Sequence, residues 1–236
     1  MTLKLRVSPL RAIGSALVCL MITASVWAAP IPRDNPEQML IQATDQLLDT
    51  SKAAREYAMQ DPQRYYRQVA EIIEQVIDKE YFARGVMATY ASQRQYQALK
   101  TDAEKQAFKA RVTRFADILQ TVLIEKYADA LLTFKGDRID VKAIATSTSH
   151  AKKSSLLQTI YDKGGATYKV QYNLHQKSDS LWLINNVIIE GINMGSTYRT
   201  QFAEAVENNR GDVDYVIEHW HELMNRPQEK ANTNHG

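Results

Sequence analysis

Cysteine is nearly absent from this chain: one thiol among 236 residues, that of Cys19. Cys19 lies in an N-terminal apolar run expected to be removed, so the mature chain has neither a disulfide nor a thiolate metal site. Histidine numbers five, and no HExxH pair is among them. Glycine and proline are sparse, at nine and six residues. No phosphate-cradling glycine loop, dinucleotide fingerprint or GxSxG elbow occurs. No stripe of Arg and Lys with interleaved aromatics is present, so nothing calls for nucleic acid. There is no internal repeat and no low-complexity linker. The run from Ala12 to Val26 is too short for a comfortable membrane span, and no second one follows.

What the N-terminus does carry is a targeting pattern. Lys4, Arg6 and Arg11 precede the apolar run, and Val26 and Ala28 stand at the −3 and −1 positions of a small-residue cleavage site. Cleavage is expected after Ala28, because cleavage after Ala29 would leave Pro30 first. Cys19 follows Val18 and not the small residue that a lipid-modified signal requires. Removal of residues 1–28 takes the formal net charge from +2 to about −1. The expected location is the bacterial periplasm or the cell exterior. Residues 29–226 have the size and composition of one domain with a real core, and 227–236 read as a polar, disordered tail.

The body divides into a helical half and a sheet half. Asn35-Pro36 and Asp61-Pro62 are cap and first-turn pairs. Met39, Ala43, Leu47 and Ala54 follow the first; Tyr66, Val69, Ile72, Ile73, Val76 and Ile77 follow the second. Thr101 and Glu104 form a capping box ahead of a long apolar stripe from Phe108 to Phe134. The period then changes. Ile139, Val141 and Ala143 alternate with charged residues; Ser155 to Tyr161 forms a second strand, Tyr168 to Leu174 a third and Leu181 to Ile189 a fourth. The hairpin turns fall at Asp162–Gly165 and Lys177–Asp179. Helices are expected from about Asn193 to Asn208 and Asp212 to Met224. The fold class is α+β, with helices set against one face of a four-stranded antiparallel sheet.

Candidate chemistry is thin. His219 and His221, two residues apart on a helix, point to different sides, whereas a metal pair needs three or four. His150 and His175 read as solvated. Asp140 and Glu190 fall on a polar strand face and at a turn, so no buried general base is visible, and the chain reads as a non-enzyme. The 12 tyrosines outnumber the five phenylalanines. Most suit ordinary packing with the hydroxyl at the surface, and a few suit the mouth of an apolar cavity.

The stretch WLINNVIIEGINMGSTYRTQF, Trp182 to Phe202, resembles the C-terminal signature of the MlaC, or toluene-tolerance (Tol), family of periplasmic phospholipid shuttles. Trp182, Val187, Glu190, Gly191, Ile192, Tyr198, Arg199 and Phe202 stand at the family's places. Tyr65 to Gln93 and Thr101 to Phe134 are similar to two further family segments, so the likeness spans about residues 37 to 224. Asn193 replaces the usual Ser and still permits capping. Ala88 stands where the family has Gly, which puts local packing there in doubt.

The resemblance implies a cystatin- or NTF2-like curved sheet wrapped by helices around an apolar cavity for the acyl chains of a phospholipid, with no cofactor. It implies transfer between an inner-membrane ABC transporter complex with a lipid-binding ring and an outer-membrane lipoprotein–porin complex, maintaining outer-membrane lipid asymmetry. The inward residues expected to meet acyl chains are Phe115, Leu119, Leu123 and Tyr127 from the long helix. From the sheet they are Val141, Leu157, Val170, Tyr172, Trp182, Ile184 and Val187. Lys109, Arg111, Arg114 and Arg199 read as a solvated face, with an anionic headgroup as the alternative partner. A carrier of another hydrophobic ligand, an NTF2-like periplasmic enzyme and a pure interaction module are the competing readings.

Overall fold

The computed structural model describes residues 30–134, 136–146, 152–177 and 180–225. The expected signal sequence, His150, the Ser178-Asp179 turn and the C-terminal tail lie outside them.

The start signals act as caps. Asn35 accepts from the amides of Glu37 and Gln38 to open α1, Pro36–Ala54, and Asp61 accepts from Arg64 to open α2, Pro62–Val76. Asp78 caps α3, Lys79–Met87, through the Tyr81 amide. A 3-10 turn, Ala88–Ala91, and a short α4, Gln93–Ala98, lead to the long helix. That helix, α5, runs Asp102–Leu132, 31 residues, behind a complete Thr101–Glu104 capping box. At 1.5 Å per residue it is about 46 Å long.

The sheet is antiparallel and open, in the order β1-β2-β3-β4-β5. Its strands are β1 Gly136–Thr146, β2 Lys153–Asp162, β3 Thr167–Gln176, β4 Trp182–Ile189 and β5 Ile192–Asn193. The fifth strand corrects the expectation of four. Glu190 and Gly191 both have positive φ, 49° and 82°, as a two-residue hairpin of the I′ kind requires. The chain therefore folds back, pairing Ile189 with Ile192, before Asn193 caps α6, Met194–Asn208. The single closing helix expected from Asp212 to Met224 is two helices, α7 Val213–Glu218 and α8 Trp220–Asn225. They part at His219, whose backbone (φ −102°, ψ 13°) leaves helical values.

Three apolar cores form. Phe115, Tyr198, Phe202 and Trp220 centre one between α3, α5, α6, α7 and α8. Met39, Leu40, Ile72, Val76, Leu156, Leu174 and Ile184 join α1 and α2 to the sheet. Tyr65, Val69, Ile124 and Ala128 join α1, α2 and α5. Leu47 packs on both the second and the third, and the space left between the three is the site.

Candidate functional site

That space is a cavity of about 380 Å³, within the range of small-molecule pockets. The long helix supplies most of one wall. Ala116, Leu119, Gln120, Leu123, Ile124, Tyr127, Ala128 and Leu131 all line it, spaced by threes and fours as one helix face demands. Leu47 and Leu48 of α1 and Val69 and Ile73 of α2 close the sides. Ile160, Val170, Tyr172, Ile184, Val187 and Ile189 line it from the sheet. The surface is almost wholly apolar.

Of the sequence-predicted residues, the cavity brings together Leu119, Leu123, Tyr127, Val170, Tyr172, Ile184 and Val187. Phe115, Val141, Leu157 and Trp182 lie outside it. Phe115 is fully buried against Phe202 and Trp220, with ring centroids 4.8 and 5.4 Å away. Val141 and Trp182 pack on the core between α1, α2 and the sheet. Leu157 pairs with Lys142 and Gln171, on the sheet face opposite to Leu156 and Gln158, because neighbouring strand residues point to opposite sides. Ile184 and Val187 both reach the cavity despite their odd spacing. A bulge between the Asn173 and Leu174 pairings shifts the register of β4 and restores the inward face beyond Asn185.

Sequence reasoning missed the polar element of the cavity. Gln158, only 4 % exposed, donates from Nε2 to Thr44 Oγ1 at 2.8 Å and accepts from the Tyr172 hydroxyl at 2.9 Å. Thr44 in turn donates to the Leu40 carbonyl at 2.8 Å. All three side chains line the cavity. Burial pushes the Tyr172 phenol well above its ordinary value, so it stays a neutral donor. The available signal was positional: Gln158 stands between Leu156 and Ile160 on one strand face, where an isolated amide needs a partner.

Two further polar groups border the space. Lys79 Nζ lies 2.8 Å from Asp117 Oδ1 and 3.2 Å from Glu74 Oε1, and the bond to Asp117 holds its ammonium pKa above the usual value. Tyr127 and Tyr198 share a hydroxyl contact of 3.2 Å. Burial, and then that contact, raise the Tyr198 pKa.

The histidines and cations take other roles. His175 is not solvated as expected: its Nε2 lies 3.2 Å from Asp78 Oδ2, and its side chain is only 17 % exposed. Lys177 reaches the same carboxylate oxygen at 3.1 Å. His221 pairs with Glu125 at 2.6 Å, and His219 stacks on Tyr215. Arg111 and Arg114 are held by Asp214 and Glu218. Among the described residues no group of three or more His, Cys, Asp or Glu is placed to hold a metal ion, and no helix is long and apolar enough to cross a membrane.

Three similarities to known proteins accompany this geometry. A family model described as MlaC protein matches residues 41–222. The toluene tolerance protein ttg2D of Pseudomonas putida is 26% identical over 201 residues, covering 85% of this chain and 86% of that protein. A phospholipid-binding protein from Ralstonia solanacearum, solved in complex with a phospholipid, shares the fold with a TM-score of 0.63 at 19% identity. The similarity covers 80% of this chain and 96% of that one.

Proposed function

The chain belongs to the MlaC protein family, and from that membership and its apolar cavity we propose that it is a periplasmic phospholipid carrier. Acyl chains occupy the cavity against Leu119, Leu123, Tyr127, Val170, Tyr172, Ile184 and Val187. The cargo passes between an inner-membrane ABC transporter complex with a lipid-binding ring and an outer-membrane lipoprotein–porin complex, which maintains lipid asymmetry. The protein carries no chemistry of its own in this reading.

The observation that carries the proposal is a hollow apolar interior where three cores leave a gap. Apolar walls exposed to water are unfavourable, and burial of acyl chain recovers about 0.8 kcal/mol per CH₂. A phospholipid that leaves a bilayer for such walls trades one apolar environment for another, so transfer is close to neutral. The membrane complexes then need only dock and open the cavity. The phospholipid bound by the Ralstonia solanacearum protein of similar fold supports this class of cargo.

Native mass spectrometry of the chain from Ala29 onward, purified from a periplasm without detergent, tests the reading. The expected result is about one phospholipid per chain. A protein that emerges ligand-free and acquires no lipid from vesicles is not a carrier of this kind.

A further inference from the structure

Beside the apolar cavity lies a second hollow of different character. It measures about 350 Å³, has a mainly polar lining, and lies between α3, β4 and the start of α6. Phe82, Asn185 and Asn186 line both spaces, so the two adjoin. Its charge is one-sided: Arg199 lines it, and no carboxylate does among the described residues.

Arg199 is held but not neutralised. Its Nε donates to the Gly85 carbonyl at 2.8 Å, which orients the guanidinium. Neither Nη group bonds a protein atom among the described residues. Those two groups form the planar fork that matches the oxygens of a phosphate. The hydroxyl of Ser196, which lines the same hollow, is likewise without a protein partner among the described residues. Two amides of the first α6 turn are already taken: Gly195 donates to Asn186 Oδ1 at 3.1 Å and Ser196 to Asn193 Oδ1 at 3.0 Å. An anion here would be held by side chains and not by the helix end.

Gly85 is the second observation. Glycine inside a helix is less stable than alanine, so it needs a reason. Packing does not supply one, since a Cβ at position 85 would meet no atom within 4 Å. Gly85 lines the polar hollow. No neighbouring atom closes off position 85, so the helix is open there, beside the guanidinium that its carbonyl holds.

We propose that this hollow is a subsite for a phosphate-class anion, the phosphodiester of the lipid headgroup, with Arg199 as its recognition residue. The inference rests on the phospholipid reading of the adjoining cavity. Asn185 and Asn186 mark the passage from apolar chain to polar head, and the subsite lets the carrier distinguish a phospholipid from a phosphate-free diacylglycerol.

The test is competitive loading. The mature protein is incubated with phosphatidylglycerol vesicles containing a minor fraction of diacylglycerol with the same chains, and the bound lipids are weighed by native mass spectrometry. Wild type should favour phosphatidylglycerol beyond its share of the vesicle. Arg199→Gln and Gly85→Leu should each reduce that preference at least about tenfold, the scale of one charge-assisted hydrogen bond. Either variant decides alone if the other fails to fold. If wild type loads neither lipid, the carrier reading falls and the subsite falls with it. If wild type loads both but the preference is absent, or survives both substitutions, the subsite is wrong and the carrier reading stands. Inorganic phosphate titrated into lipid-free protein separates the sources. Amide shifts at Gly85 and Ser196, together with an unaltered lipid preference in both variants, would assign the hollow to a free anion and overturn the headgroup assignment.

Discussion

The Tyr172 hydroxyl donates to Gln158 Oε1 at 2.9 Å inside an almost wholly apolar cavity. The bond satisfies two groups that could not otherwise be buried there, and neither partner can be removed alone without cost. Tyr172→Phe strips an acceptor of its donor and should destabilise the fold by about 1–3 kcal/mol. The double variant Tyr172→Phe/Gln158→Leu should recover part of that loss, because it removes both ends of the bond. Urea unfolding of the two single variants and the double variant measures the coupling. Strictly additive losses would mean that the bond contributes nothing.

Ala88 has φ 48° and ψ −111°, a conformation that a side chain with Cβ resists. Relief of such strain is worth about 1–3 kcal/mol, offset by about 0.5–1 kcal/mol from the greater freedom of glycine in the unfolded chain. Ala88→Gly should therefore stabilise the protein by about 1 kcal/mol, seen as a higher urea midpoint at unchanged slope. A lower midpoint would show that the backbone at 88 is not strained.

Val170 and Leu119 both line the cavity, but arginine should act differently at the two. Val170 is half-buried and belongs to none of the three cores. Val170→Arg should remain folded by circular dichroism while losing its lipid. Leu119 is 2 % exposed and is also part of the core around Trp220. Leu119→Arg places an uncompensated charge there and should cost about 3–5 kcal/mol. A Val170→Arg protein that still carries one phospholipid would put the acyl chains elsewhere.

Alkaline pH tests the Tyr127–Tyr198 contact. Burial and the Tyr127 contact hold the folded-state pKa of Tyr198 above its ordinary 10.0. The unfolded chain therefore releases this proton first. The stabilisation is complete below about pH 10 and is lost as pH rises from there through the folded value. Tyr198→Phe should show a shallower fall in unfolding free energy above pH 10 than wild type. Parallel curves would mean that the proton is held equally in both states.

The elements that could be read in the sequence are those whose causes are local. Asn35, Asp61, Thr101, Asn193 and Asp212 each cap a helix because a short polar side chain finds an amide two or three residues ahead. The strand alternation of β3 is equally local. The site was harder because α5 is apolar on more than one side. Phe115 and Leu119 occupy one stripe by spacing, yet Phe115 turns wholly into the helical core while Leu119 also meets the cavity. Leu156 and Leu157 are adjacent and chemically alike, so nothing local says which points inward. The Asn185 bulge and the β5 return depend on pairing partners, which periodicity does not contain. Whether an apolar interior is filled or hollow depends on distances between cores that no single segment sets.

The gap between the three cores has a mechanical consequence. Unfolding eliminates internal voids, so a protein with an empty interior occupies more volume folded than unfolded, and hydrostatic pressure drives it open. A cargo that fills the void removes that volume difference. The unloaded protein should therefore be the compressible, pressure-labile state and the loaded one the pressure-resistant state. Cargo release would leave behind a softer molecule than the one that arrived.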